Sequence, residues 1–171
     1  MPNIKTQITK HNKTLLQDDS QENKTKTCNC TKFACPLKDS ELSCRTECVV
    51  YEATVTTEDN IRTYTGLTEK EFKTRYYQHR HDFNSKRDST ELSKYVWELK
   101  DKKEKFEISW KILKRVPKLK NGQKMCRLCT TEALVIMKNG KNQLNKRTEI
   151  LNKSRHQNKF LLKNYKDKKK T

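Results

Sequence analysis

Val49-Val50-Tyr51-Glu52-Ala53-Thr54-Val55, then Glu58-Asp59-Asn60, then Ile61-Arg62-Thr63-Tyr64-Thr65-Gly66 is the run on which the fold turns. The first seven residues are rich in β-branched side chains, the middle three form a polar turn, and the last six read as a second strand. Together they predict a β-hairpin. Alternation puts Val49, Tyr51, Ala53 and Val55 on one face of the first strand.

Beyond the hairpin, Thr68-x-x-Glu71 has the form of a capping box that opens a helix. Its stripe holds Phe72, Tyr76, His79 and Phe83, with Arg75 four residues before His79. A second helix begins near Thr90, with Leu92, Tyr95, Val96 and Leu99 spaced for one buried face. Phe106, Ile108, Trp110 and Ile112 alternate with polar residues, as in a half-buried strand. Pro117 to Lys124 reads as a loop, followed by a helix that ends near Asn139-Gly140. Leu144-Asn145-Lys146-Arg147 and a last helical stretch around Phe160 to Leu162 close the domain. The order is β-β-α-α-β-α. The expected class is α/β in the broad sense, α+β in detail: a small three-stranded antiparallel sheet flanked by helices that hide its apolar faces.

The 171 residues suffice for one ordinary domain with disordered ends. Residues 1–27 and 164–171 are polar and are read as disordered tails. The formal net charge is +18, and residues 61–163 hold 27 Lys and Arg against 11 Asp and Glu, which places +16 in the expected folded part. Such a field favours polyanions, nucleic acid before anionic membrane, because the basic residues are interleaved with the helix and strand patterns. No apolar run is long enough to span a bilayer, and the N-terminus has no signal-peptide core. The expectation is an intracellular protein without a membrane partner, whose seven cysteines serve as thiols or metal ligands instead of disulfides.

Between Ile108 and Lys163 stand fifteen Lys and Arg but two acids, Glu132 and Glu149. On a helix, Glu132 has Leu128, Cys129, Val135 and Ile136 at neighbouring positions, all apolar. Burying a carboxylate there is costly unless it is compensated. The residues leave two compensators open, a divalent cation held against phosphate or an ion pair to a distant Arg.

Cys28, Cys30, Cys35, Cys44 and Cys48 form a C-x-C-x4-C-x8-C-x3-C segment. Thiolates at this density can close a tetrahedral zinc site that staples a weak core. Cys28, Cys30, Cys35 and Cys44 are the preferred set, and Cys48 is left free. Cys126 and Cys129 have ligand spacing too, so they either complete the same site or are core thiols. Residues 28–48 are thus the expected zinc segment, and 49–163 the expected domain.

Two tyrosines on adjacent strands, an Arg–His pair on the next helix and a late Glu form an ordered set. In that set the chain resembles the GIY-YIG endonucleases. Val49-Val50-Tyr51 stands where that family has its first tripeptide and Tyr64-Thr65-Gly66 where it has the second. Arg75-x3-His79 follows on the next helix, Glu132 on a late one, and Asn145 shortly beyond. Val49 stands in place of the first glycine and Thr65 in place of the isoleucine, while both tyrosines and Gly66 are kept. More narrowly, the cysteine segment, Thr90-Glu91-Leu92-Ser93-Lys94-Tyr95-Val96-Trp97, Cys126-x2-Cys129-x2-Glu132 and Leu144-Asn145-Lys146-Arg147 look like the endonuclease domain of Penelope-like retroelements. The resemblance covers residues 28–163.

What the resemblance implies is hydrolysis of a DNA phosphodiester with one divalent metal, Mg²⁺ or Mn²⁺. Glu132 would hold the metal, Tyr51 would orient or deprotonate the attacking water, and Arg75 would stabilise charge on the phosphate. Tyr64, His79 and Asn145 would position these groups, with His79 sharing in proton transfer. DNA is the implied partner, with a reverse transcriptase domain or the RNA of the same element beside it, and the nucleus the implied location. Nothing upstream is long enough for a reverse transcriptase, so a stand-alone domain or a fragment is expected. Taken singly, these residues also read as strand aromatics, a solvated helix face and a turn residue. The competing class is a zinc-stapled basic module that holds DNA or RNA without cutting it.

Overall fold

The structure, a computed structural model, describes residues 3–17, 27–30, 35–37, 42–119, 126–140 and 142–146, with side chains from 12 to 17 excepted. It is mixed α+β, with one three-stranded antiparallel sheet and four helices among the described residues. Helix α1 (Ile4–Gln17) comes first, then β1 (Val49–Thr56), β2 (Ile61–Thr68), α2 (Phe72–Asn84), α3 (Glu91–Asp101), β3 (Glu107–Arg115) and α4 (Arg127–Lys138). The helical stretch expected around Phe160 to Leu162 and the 164–171 tail lie outside the described residues.

Helix α1 falls in the segment whose composition reads as disordered. Asn3 starts it, its Oδ1 accepting from Lys5 N at 3.0 Å and its carbonyl from Thr6 N and Gln7 N. Ile4 remains 68% exposed, so the first turn rests on local hydrogen bonds, which a reading based on hydrophobic stripes does not detect.

The strand order is β2-β1-β3, so the hairpin supplies the central strand. Its register sets Tyr51 opposite Gly66 and Ala53 opposite Tyr64, while β3 sets Ile112 opposite Tyr51 and Trp110 opposite Ala53. Lys114 pairs with Val50 and Ile112 with Tyr51, which leaves Leu113 as the extra residue of a bulge.

The alternation of β1 separates two cores. Val49, Tyr51, Ala53 and Val55 are fully buried and pack with Phe72 and Phe83 of α2, Leu92, Val96 and Leu99 of α3, and Ile112. Val50 points to the other face, where it meets Leu67, Val116, Cys126 and Leu128. Helix α4 therefore covers the opposite side of the sheet from α2 and α3. The outer edge of β2 is covered by residues 142–145: Thr63 N donates to Asn142 O (3.0 Å) and Leu144 N to Thr63 O (2.8 Å).

Helix α3 starts where the Thr90 pattern predicts. Thr90 Oγ1 accepts from Ser93 N (3.1 Å) and Ser93 Oγ from Thr90 N (3.0 Å), a reciprocal capping box. The Thr68-x-x-Glu71 box does not form. Thr68 is the last residue of β2, its hydroxyl donates to Lys70 O, and α2 has Glu71 as its N-cap with no side-chain cap bond. The first N–H groups of α2 go to backbone carbonyls instead, Phe72 N to Thr46 O (3.0 Å) and Lys73 N to Cys44 O (2.7 Å).

Thr90→Ala removes one acceptor from the α3 cap and should destabilise the protein by about 1 kcal/mol. Urea unfolding checks this, and an unchanged midpoint contradicts the cap.

Candidate active site and cysteine cluster

Tyr51 is fully buried, and its ring crosses its register partner Gly66. A Cβ built on Gly66 would stand 2.5 Å from the Tyr51 hydroxyl oxygen and 3.1 Å from the Tyr64 ring. Only a residue without a side chain lets the ring lie there. Around it pack Phe72, His79 and Trp110, with ring centroids 5.2, 5.9 and 6.0 Å away. Tyr64, two residues before Gly66 on the same face of β2, meets His79 edge-on at 6.0 Å. Such contacts each contribute about 0.5–1.5 kcal/mol beyond area burial.

One turn of α2 delivers both Arg75 and His79. Arg75 Nε donates to the Tyr51 hydroxyl oxygen (3.2 Å) and Nη1 to Gln78 Oε1 (3.1 Å). The Tyr51 hydroxyl shares a hydrogen bond with His79 Nε2 at 2.8 Å. Burial opposes the charge on Arg75, but the facing Tyr51 and Tyr64 oxygens outweigh it and push the pKa above the ordinary value. His79 goes the other way. Burial, and then the neighbouring Arg75 charge, push it down to about 3 against a small opposing pull from Asp82. The ring is neutral at physiological pH, and its Nδ1 is buried without a hydrogen-bond partner among the described residues.

Tyr51, Tyr64, Arg75 and His79 thus come together on the α2 side of the sheet. Glu132 approaches from the other side. It lies on the inner face of α4, between the buried Leu128 and Ile136, with 9% of its surface exposed. Asn145 stands at the β2 edge, and its amide makes two bonds to one backbone unit: Oδ1 accepts from Thr65 N (2.7 Å) and Nδ2 donates to Thr65 O (2.8 Å). It pairs with the strand as another strand would, which makes it a positioning residue for the second tyrosine motif. Gln143 assists, its amide nitrogen oriented to the Ile136 and Asn139 carbonyls (2.8 and 3.2 Å) and its oxygen to Thr65 Oγ1 (3.2 Å).

The cysteine segment forms a separate cluster. The ligand atoms of Cys28, Cys30, Cys35 and Cys44 all lie within 4.8 Å of one another, and among the described residues this group could hold a metal ion. The Sγ atoms of Cys28 and Cys35 are 3.6 Å apart, of Cys28 and Cys44 3.4 Å, and of Cys30 and Cys44 3.7 Å. A tetrahedron with metal–sulfur bonds of about 2.3 Å has edges of about 3.8 Å, so the donors fit a zinc ion. The Cys30 backbone N–H, then the Cys44 thiol, pull Cys28 down to about 7, whereas burial pushes Cys44 up.

Cys126 and Cys129 do not join this set. They lie in the α4 core on the opposite face of the sheet, where Cys126 Sγ caps α4 by accepting from Cys129 N (3.4 Å). Of the two sequence alternatives, core thiols is the one the packing supports. Cys48 is buried outside the cluster, and its Sγ contacts Glu69 O at 3.6 Å. Its φ of 53 places it in the left-handed region, where a non-glycine residue is strained. Its N–H to Glu69 O (3.3 Å) and its carbonyl from Val116 N (2.8 Å) hold it there.

Sequence reasoning does not find the structural parts played by Trp110 and Lys73. Trp110 reads as one residue of a strand pattern, yet its ring lies 5.3 Å from His79 and 5.5 Å from Tyr76. Lys73 lies outside the stripe of Phe72, Tyr76, His79 and Phe83, and its Nζ donates to Asn29 Oδ1 at 3.1 Å.

Gly66→Ala forces the Tyr51 ring to move and should cost about 1–3 kcal/mol, with a shift of the His79 ring resonances in NMR. An unperturbed variant contradicts the close approach. For His79, an unfolded chain takes up the proton near pH 6.5 while the folded one resists until about 3. Its contribution is therefore fully present above 6.5 and declines as the pH falls towards 3, at up to about 1.4 kcal/mol per pH unit. Urea unfolding at a series of pH values should show a shallower acid slope for His79→Gln than for wild type.

No protein-family model, no curated protein and no solved structure matches the chain, so the chemistry of this site rests on its own residues.

Proposed function

We propose that this chain is a divalent-metal-dependent DNA endonuclease domain, a phosphodiester hydrolase of GIY-YIG type that nicks target DNA for a retroelement, stapled by a structural zinc ion. The observation that carries the reading is the setting of Arg75. Among the described residues its hydrogen bonds go to the oxygens of Tyr51 and Gln78, neither of them a carboxylate, and Tyr64 adds to the stabilisation of its charge. A half-buried guanidinium held by phenols keeps its full charge, and in a chain of net charge +18 its natural counter-ion is a phosphate.

Burial divides the work of the two tyrosines differently from what the resemblance implies. Tyr51 has no exposed surface, whereas Tyr64 keeps 7%. In this reading Tyr64 is the phenol that meets the attacking water, and Tyr51 holds Arg75 and His79 in place. His79, neutral and bonded to Tyr51, orients that phenol without repelling the Arg75 charge. Asn145 fixes the strand that carries Tyr64. Glu132 offers the single carboxylate that a well-hydrated hard cation needs, and a cation there supplies charge stabilisation at the phosphate and its leaving oxygen. Zinc at Cys28, Cys30, Cys35 and Cys44 is structural, with all four positions filled by thiolates. DNA is the partner, with a reverse transcriptase domain or RNA of the same element as further partners, and the nucleus is the place of action. No described helix is long and apolar enough to cross a membrane.

Plasmid nicking with Mg²⁺ or Mn²⁺ tests the reading. Wild type should nick, and Glu132→Ala, Arg75→Ala and Tyr64→Phe should each lose about 10²-fold or more in rate, while Glu132→Ala and Tyr64→Phe keep DNA affinity. If wild type binds DNA with a steep salt dependence but never cuts, the chain is a zinc-stapled basic nucleic-acid-binding module.

A further inference from the structure

We infer that metal occupancy of the four-cysteine cluster sets the position of Arg75 and His79, and that Lys73 is the residue that joins the cluster to their helix. The inference deepens the proposed function and rests on its reading of the cysteines as a metal site.

A helix leaves its first N–H groups without partners inside itself, and α2 has no side-chain cap. Phe72 N and Lys73 N are met by Thr46 O (3.0 Å) and Cys44 O (2.7 Å). One acceptor is therefore the backbone of a metal-ligating residue, and the other lies two residues beyond it. Lys73 makes a second connection through its side chain. Its Nζ donates to Asn29 Oδ1 at 3.1 Å, between Cys28 and Cys30, and the Cys30 sulfur favours its positive charge. A third runs from Arg45 Nε to Glu71 Oε1 at 3.5 Å. The first turn of α2 is thus tied to the cysteine segment at Glu71, Phe72 and Lys73.

Arg75 follows within the same turn, and its own N–H reaches back to Glu71 O at 3.4 Å. Phe72 touches the Tyr51 ring, so a displaced first turn moves both the guanidinium and the ring it holds. Among the described residues of the segment, Leu37 and Leu42 are the apolar side chains other than the cysteines that pack on the core. Four thiolates around one Zn²⁺ carry a net charge of −2, and the Lys73 ammonium beside Cys30 offsets part of it. With the metal gone, the thiols have no common centre, the Cys44 and Thr46 carbonyls are no longer held, and the helix start frays where Arg75 sits.

Native-state amide hydrogen exchange on the full chain tests this, comparing the zinc-loaded protein, the protein stripped by a strong chelator, and zinc-loaded Lys73→Met. Stripping should lower protection at Phe72, Lys73 and Arg75 to His79 by about tenfold or more, while Tyr51, Ala53 and Val55 in the central strand keep theirs. Lys73→Met should show a smaller loss at the same amides and release zinc several-fold faster to a competing chelator. Equal loss across helix and sheet would make the metal a staple of the whole fold and overturn the coupling, as would unchanged protection of α2 or a chain that binds no zinc. Since none of these readouts is cleavage, a protein that shows the pattern but never nicks DNA keeps the coupling and loses the nuclease.

Discussion

Tyr51 can occupy the centre of this protein because residue 66 has no side chain. The ring lies across the hairpin partner at a distance where a Cβ would stand 2.5 Å from its hydroxyl oxygen. From that position the ring closes the core against Phe72 and Trp110, and the hydroxyl serves two residues of α2 at once. Hairpin register, helix placement and site geometry thus depend on one close approach. Thr65, the residue between Tyr64 and Gly66, is fully buried and turned to the other face, where Gln143 meets its hydroxyl, while Asn145 pairs with its backbone at the strand edge. The second tyrosine motif is therefore fixed by the Tyr51 ring on one face and by Gln143 and Asn145 beyond it.

The electrostatics follow from the same burial. A charged histidine and a charged arginine cannot share one phenol in a low-dielectric setting without strong repulsion. The protein resolves this by keeping His79 neutral, down to about pH 3, and leaving the charge on Arg75. The buried Nδ1 of His79 without a partner among the described residues is a cost of that arrangement, on the order of 1–3 kcal/mol. With only 32% hydrophobic residues, such a cost needs support from outside the sheet. The four-cysteine cluster, which could hold a metal ion, lies beside the start of α2, where such an ion would give it.

Local patterns made much of the fold legible. Alternation in residues 49–55 assigned the buried face of β1 residue by residue, and the Thr90 cap located the start of α3. The clustered set Cys28, Cys30, Cys35 and Cys44 was legible from density and spacing alone. The Thr68-x-x-Glu71 box misled because its threonine was needed in β2 and the helix found acceptors more than twenty residues upstream. For Asn145 the limit is distance: its partner, Thr65, is 80 residues away, and no window on the sequence shows that its amide completes a strand edge.

Glu132 shows where a one-dimensional reading stops. Its apolar neighbours predicted burial on a helix, and the structure has it so. What the pattern could not give is the side of the sheet. Residues on β1 alternate between α2 and α4, so a carboxylate on α4 and an arginine on α2 lie across the sheet from each other unless they meet around an edge. Strand β2 is that edge, and residues 142–145 already cover it at Thr63 and Thr65. The stretch from Gly66 to Thr68 borders both faces: Gly66 lies against the Tyr51 ring, Leu67 packs in the core under α4, and Thr68 ends the strand just before α2. The short turn from Thr68 to Phe72 that follows is tied through Glu69, Glu71 and Phe72 to the cysteine segment and the residues after it, so the β2 end that borders both faces is also the end fastened to α2.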